Sequence, residues 1–455
     1  MMHEGVDGLV PLSTPLHSPM PRVALHTLGC KLNFAETSTL GGQFLDRGFE
    51  VVPFSEPAEV YVLNTCSVTE RADRECRQLV RRALRRSPDA LVVVTGCYAQ
   101  LAPEEIASID GVDFVLGTKE KSSLFQYLGN LEKQPTPQLC VSDIGEAVSF
   151  GPAMSGPATD RTRAFLKIQD GCDYQCTFCT IPLARGASRS QAVEITVQQA
   201  RNLIRQGYKE IVLTGVNVGD YGRKIDADLH SLLKELVTVE GLARIRISSI
   251  EPNLLTPGLL AFIADHETVC RHFHIPLQSG SDAVLRRMRR RYTSGMYSEL
   301  IHRVRETFPE AGIGVDVIAG FPGETDAEFE ETHRLLAELQ VSYLHVFTYS
   351  ERPNTPAATH GNPVPVAVRA RRNEQLRILG QRKRSLFAGQ HAGRRVHVLA
   401  ESTVEDGMRF GFTDSFLRVG FPAARAEENQ LIDVTITGVE DGHCLGEVVG
   451  CEVEQ

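Results

Sequence analysis

Short, mostly apolar runs alternate with helix-period stretches over residues 22–130: Val23–Thr27, Val60–Asn64 and Leu91–Thr95 each lead into a helix-like segment. Such alternation predicts an open parallel α/β sheet with helices on its faces, spanning 21–133. It stops over 134–157, where Pro135, Pro137, Gly151, Pro152, Gly156 and Pro157 predict a linker. It resumes with candidate strands at 164–169, 210–214, 244–249, 271–275, 313–319 and 342–348, and with helices such as 192–206, 282–290 and 326–339 between them. Six β/α units predict a partial (β/α)6 barrel over 158–388, with its site at the C-terminal strand ends. Past a basic helix ending near residue 388 the period changes again. Val396–Ala400, Arg409–Thr413, Phe416–Val419, Leu431–Thr437 and Leu445–Val449 follow one another without helices, which predicts a small antiparallel β-barrel over 389–455. The fold class is α/β in three domains, with residues 1–20 a disordered, proline-bearing extension.

Composition narrows the function. At 455 residues, 42% hydrophobic and 23% charged, the chain reads as soluble and globular. Eleven cysteines, an odd number, speak against a disulfide scaffold and for reduced thiols in the cytoplasm, some of them metal ligands. No apolar run is long enough for a bilayer, so no membrane is expected. The net charge of −9 argues against nucleic acid, but its distribution argues for it. Seven arginines fall within 71–86, against Asp73 and Glu75. Arg286, Arg287, Arg289, Arg290 and Arg291 form a second cluster, and Arg369, Arg371, Arg372, Arg377, Arg382, Lys383 and Arg384 a third. Arginine suits forked phosphate contact, which points to a polyanionic partner. Residues 390–455 depart from this, with twelve acidic against five basic side chains; contact there is confined to Arg394, Arg395, Arg409 and Arg418.

Cysteine spacing carries the chemistry. Cys172, Cys176 and Cys179 are spaced C-x3-C-x2-C, directly after the first strand of the central domain. Three thiolates can hold a cubane iron–sulfur cluster and leave its fourth iron without a protein ligand. A second trio is placed rather than spaced: Cys30, Cys66 and Cys97 each sit just past a strand of the first domain. In an open parallel sheet those ends share one edge, so distant residues meet there. Zinc is the rival metal, but it usually takes four ligands and no fourth stands out. Cys76, Cys140, Cys270, Cys444 and Cys451 read as structural or incidental.

The stretch Gly171-Cys172-Asp-Tyr-Gln-Cys176-Thr-Phe-Cys179 resembles the radical S-adenosylmethionine superfamily. Thr27-Leu-Gly-Cys-Lys-Leu-Asn33, Asn64-Thr-Cys-Ser-Val-Thr69 and Thr95-Gly-Cys97 resemble the methylthiotransferase N-terminal domain, and 394–452 its TRAM barrel. Leu213-Thr-Gly-Val-Asn-Val-Gly219 and Gly411-Phe-Thr-Asp-Ser-Phe-Leu-Arg-Val419 are similar to the branch acting on N6-threonylcarbamoyladenosine in tRNA. The resemblance implies two 4Fe-4S clusters, one on each trio, and S-adenosylmethionine. It also implies a low-potential electron donor and an anticodon stem-loop as partner, with no obligate protein partner. A 5′-deoxyadenosyl radical would remove hydrogen from C2 of the base, and the second cluster would supply methylated sulfur. Cofactor contacts are expected at barrel strand ends, at Gly215, Asn217, Ser249, Glu251, Gln278 and Asp316. No catalytic base stands out. Three alternatives remain: methylthiolation of isopentenyladenosine in tRNA, methylthiolation of a ribosomal protein, and a non-catalytic, metal-stabilised RNA-binding protein.

Overall fold

The computed structural model describes residues 20–66, 70–129, 131–156 and 162–450. The expected N-terminal extension, Cys451 and the Arg71 side chain lie outside the described residues.

The first domain contains β1 (Arg22–Thr27), α1 (Lys31–Leu45), β2 (Glu50–Val52), β3 (Val60–Thr65), α2 (Glu70–Arg86), β4 (Leu91–Gly96), α3 (Cys97–Leu101), α4 (Pro103–Ala107), β5 (Phe114–Leu116) and β6 (Gln138–Cys140). Its six strands run parallel in the order β2-β1-β3-β4-β5-β6. β3 and β4 are buried along their whole length, as the central strands of a doubly covered parallel sheet must be. The segment read as a linker does structural work: β6 adds the sixth strand, and the Ser155 N–H donates to the Phe165 carbonyl of the next domain.

The central domain runs through β7 (Arg163–Lys167), β8 (Gln169–Asp170), α5 (Ile181–Arg185), β9 (Arg189–Ser190), α6 (Val193–Arg205), β10 (Glu210–Thr214), α7 (Leu229–Leu236), β11 (Arg244–Ile247), α8 (Pro257–Asp265), β12 (His272–His274), α9 (Asp282–Arg287), α10 (Ser294–Thr307), β13 (Gly312–Ala319), α11 (Asp326–Glu338), β14 (Tyr343–Thr348) and α12 (Val366–Gly389). Two three-stranded parallel sheets, β11-β10-β7 and β12-β13-β14, are joined by parallel bridges Ile245↔Val269 and Ser249↔His274. The result is an arc of six strands. Ile211, Leu213, Ile245, Ile247, Ile313, Val315 and Val317 face the helices in the main core. Alternation therefore turns Arg163, Glu210, Arg246, His272, Asp316 and His345 into the lumen.

The last domain is a closed barrel of β15 (Arg395–Glu405), β16 (Met408–Thr413), β17 (Arg418–Pro422), β18 (Leu431–Glu440) and β19 (His443–Val448), ordered β15-β16-β17-β19-β18. Four of its seams are antiparallel, and β17–β19 is parallel. It packs under the arc. Arg246 donates to the Asp414 and Thr413 carbonyls at 2.7 and 2.9 Å, and Arg244 to the Phe412 and His397 carbonyls.

Candidate active site between two cysteine trios

The first trio is assembled by topology. β1, β3 and β4 are adjacent; Cys66 and Cys97 directly follow β3 and β4, and Cys30 follows β1 after Leu28 and Gly29, all on one sheet edge. Cys30 is the N-cap of α1 and makes no side-chain capping bond, while Cys97 opens α3. The backbone turns are tight enough to exclude side chains. Gly29 (φ +98°) would place a Cβ 2.7 Å from the Cys66 Sγ, and Gly96 (φ +103°) one 2.4 Å from the Thr65 carbonyl oxygen. Asn33 ties this edge together, donating to the Leu28 and Thr65 carbonyls at 2.8 and 2.9 Å.

The second trio is local. Cys172, Cys176 and Cys179 lie in the loop between β8 and α5, within one another's electrostatic reach. The Tyr174 N–H donates to the Cys172 Sγ at 3.4 Å, and Arg290 donates to the Cys176 Sγ at 3.0 Å while pairing with Glu251. Burial pushes Cys172 up to about 11 and Cys179 up to about 12, and raises Cys176 and Cys97 as well. Burial outweighs the nearby cations, Arg290 at Cys176 and Arg185 and Lys121 at Cys97, so a bound metal is what would turn these groups into thiolates. Among the described residues no three His, Cys, Asp or Glu side chains converge tightly enough for a single metal ion. A cubane is gripped at its corners, which asks for a wider spacing.

The two trios converge. α3, which begins at Cys97, packs on α5, which begins two residues after Cys179. Between them lies a buried charge network. Glu36 of α1 accepts from Lys121 (2.6 Å), Lys167 (2.7 Å) and Arg185 (2.9 Å). Asp170 accepts from Lys167 and Arg185, and Arg185 also donates to the Asn33 Oδ1 at 2.6 Å. The three cations overcome burial and hold the Glu36 carboxyl well below the usual range; Lys167 and Arg185 bring Asp170 to about 2. α1 thus docks on the arc with its Glu36 carboxylate paired, and its Phe34 and Ala35 pack on lumen-facing Phe165 and Val212.

The expected cofactor residues fall into three groups at the strand ends. The first is at the end of β10, where Gly215 lies against Gln169 and the Asn217 N–H donates to the Gln169 Oε1 at 2.9 Å. The Asn217 side-chain amide is buried, 3% exposed, with no partner among the described residues; Thr214 Oγ1, Asp220 Oδ2 and Ser248 Oγ share that condition. Orphaned polar atoms at a strand-end crevice are where a polar cofactor fits. The second group is a chain across β11, β12 and β13: Ser249 Oγ meets His274 Nδ1 at 2.6 Å, and His274 Nε2 meets Asp316 Oδ1 at 2.9 Å. The Gln278 N–H donates to the Asp316 carbonyl. The third is Glu251, held by Arg290 beside Cys176 rather than with the other five.

Several of the arginines expected to grip phosphate are engaged by partners within the protein. Arg287 pairs with Glu328, Arg369 with Glu351, and Arg372 with Glu324 and Asp326. In the last domain Arg394 pairs with Glu310, Arg395 with Asp433 and Arg418 with Glu405, and Arg409 donates to the Glu401 carbonyl. On α2, Arg81 and Arg82 stay exposed. Sequence reading missed Lys31, the Glu36–Arg185 network and the Arg290–Cys176 contact. Only the helical spacing of 31, 34, 35 and 38 from Cys30 hinted at a docked face.

A six-stranded β/α arc with a C-x3-C-x2-C loop at its mouth defines a radical S-adenosylmethionine enzyme. Residues 166–336 match the radical SAM superfamily, and 22–117 match "Uncharacterized protein family UPF0004". The chain belongs to the radical S-adenosylmethionine methylthiotransferases. It is 41% identical over 423 residues to threonylcarbamoyladenosine tRNA methylthiotransferase MtaB of Bacillus subtilis, covering 92% of this chain and 94% of that one. Identity to the same enzyme of Aquifex aeolicus is 40%, covering 83% and 92%. The tRNA-2-methylthio-N(6)-dimethylallyladenosine synthase of Protochlamydia amoebophila is 33% identical, covering 93% and 95%. The solved radical S-adenosylmethionine methyltransferase TsrM of Kitasatospora setae shares the fold at a TM-score of 0.55 and 15% identity, covering 85% of this chain and 79% of that one.

Proposed function

We propose that the chain is a cytoplasmic enzyme that adds a methylthio group to C2 of N6-threonylcarbamoyladenosine next to the anticodon of tRNA. The observation that carries this reading is the convergence of two cysteine trios, through α3 and α5, at the mouth of one barrel. Cys172, Cys176 and Cys179 hold one 4Fe-4S cluster, and Cys30, Cys66 and Cys97 the other. When bound, these clusters and S-adenosylmethionine supply a 5′-deoxyadenosyl radical on one side and a methylthio donor on the other.

The chain's own residues do the positioning. The open amide of Asn217 and the backbone at Gly215 hold polar parts of S-adenosylmethionine, with Ser249, Gln278 and Asp316 lining the opposite wall. Arg290, braced by Glu251, donates to a ligand sulfur and tunes its electron density. The Glu36–Arg185 network fixes the distance between the trios. A low-potential electron donor completes the reaction, and no obligate protein partner is inferred. The stronger identity to threonylcarbamoyladenosine enzymes, 41% against 33%, and the charged lumen favour that substrate over a hydrocarbon-bearing adenosine.

The test is mass spectrometry of tRNA nucleosides from a strain without this gene, and from one with it restored. The methylthio derivative of threonylcarbamoyladenosine is expected to vanish and return. If the methylthio derivative of isopentenyladenosine vanishes instead, the substrate assignment falls.

A further inference from the structure

Lys31 follows Cys30 and opens α1. It shares a helix face with Phe34 and Ala35, which pack on the lumen side of β7 and β10, so its side chain enters the barrel one turn deeper, towards the strand starts. Its ammonium lies within electrostatic reach of Arg163, Glu210, Arg246, His272, Asp316 and His345, one residue from each of the six strands. Only a position near the barrel axis does that. Lys31 is nonetheless exposed, so the lumen around it is open to water.

The strand groups around it already have partners of their own. Arg246 pairs with Glu210 at 2.7 Å and Arg163 with Glu401 at 2.8 Å, and the Asp316 carboxylate is hydrogen-bonded to the His274 ring at 2.9 Å. Among the described residues the Lys31 ammonium has neither hydrogen bond nor ion pair. A cation held without a counter-ion inside a partly enclosed site is a seat for an anion. The threonylcarbamoyl group ends in a carboxylate, whereas an isopentenyl group is hydrocarbon. N6 and C2 flank N1 on one edge of adenine, so a group that grips the N6 substituent also fixes where C2 falls.

We infer that Lys31 is the substrate-recognition cation, pairing with the carboxylate of the N6-threonylcarbamoyl group and so selecting the acidic nucleoside. This rests on the substrate reading above. The test uses the full chain, anaerobically reconstituted, with two synthetic anticodon stem-loop RNAs. One carries N6-threonylcarbamoyladenosine and the other its neutral threoninamide counterpart.

The parent is expected to prefer the acid roughly ten- to a hundredfold, the scale of a charge-assisted hydrogen bond, chiefly through KM and equally in Kd by fluorescence anisotropy. Lys31→Met brings both ratios close to one, and Lys31→Arg restores them. Each ratio compares two RNAs on one variant, so a misfolded fraction lowers both and leaves the ratio intact. A parent that does not discriminate, or a Lys31→Met protein that keeps the parent's ratio, overturns the inference while the substrate reading stands. A parent inactive on both RNAs overturns the substrate reading, and the inference with it.

Discussion

Cys172, Cys176 and Cys179 occupy eight residues of one loop, whereas Cys30, Cys66 and Cys97 come from three strand ends and meet only because β1, β3 and β4 are neighbours. The loop trio gets its geometry from local backbone and from Arg290, which reaches it from beyond α9. The strand-end trio gets its geometry from an entire sheet, and its distance to the other trio from a buried network between domains. A local site can be lost without the fold, but a topological one depends on everything that keeps its strands in register. The two trios should therefore fail differently.

The largest separation is expected from the ligands themselves. Cys176→Ala should abolish both 5′-deoxyadenosine release and methylthio product, each by roughly a thousandfold or more. Cys97→Ala should abolish product to the same degree but still release 5′-deoxyadenosine. Each variant should retain about four of about eight irons. Chromatography of the two products beside iron counting measures all three quantities. A Cys97→Ala protein silent for 5′-deoxyadenosine would merge the trios into one functional unit.

Next in size is the seam between them. Glu36→Ala leaves Lys121, Lys167 and Arg185 facing one another in a buried site, which should cost about 3–5 kcal/mol in denaturant unfolding. The same network sets an acid limit. Glu36 and Asp170 have folded pKa values depressed from 4.5 and 3.8, so their contribution is full above those values and is lost as pH falls through the folded ones. Thermal stability should be flat from neutral pH down to about 5 and decline below about 4, and Glu36→Gln should flatten that decline.

How far each trio is legible in sequence follows from the same contrast. The loop trio shows as spacing alone. The strand-end trio shows once three apolar runs are taken as adjacent parallel strands, since Cys30, Cys66 and Cys97 then fall on one edge. Lys31 and the Glu36–Arg185 network stay hidden because α1 reads as an ordinary sheet-covering helix; its spacing hints at a docked face but not that this face enters another domain. The three-residue strands β2, β5 and β6 are too short to display a period. Arginine clusters mislead for a related reason: Arg287, Arg369 and Arg372 look like solvent charges until their carboxylate partners, far away in the chain, are placed beside them.

Backbone geometry gives a smaller, more selective probe. Gly96→Ala forces a side chain into a left-handed turn and against the Thr65 carbonyl, for about 1–3 kcal/mol of strain beside Cys97. Roughly half the iron should be lost, all of it from the strand-end trio, with 5′-deoxyadenosine release retained. If all the iron is lost, the sheet edge and the loop are one cooperative structure rather than two.

The mildest effect asks whether RNA contact also divides between the two domains. Arg81 and Arg82 project from α2, the helix after Cys66, and remain exposed, while Arg287 beside the loop trio is engaged by Glu328 at 2.8 Å. Removing an exposed arginine that touches phosphate should weaken tRNA binding a few-fold at physiological salt and lower the log–log salt slope by about 0.9. Arg81→Ala and Arg82→Ala should each do this without changing the unfolding midpoint. Arg287→Ala should leave the slope alone and lower the midpoint, because its partner is protein. Filter binding across a salt series, paired with thermal melts, separates the two behaviours. Equal slope changes in all three variants would mean that phosphate displaces Glu328 from Arg287 on binding, and that both domains share the grip.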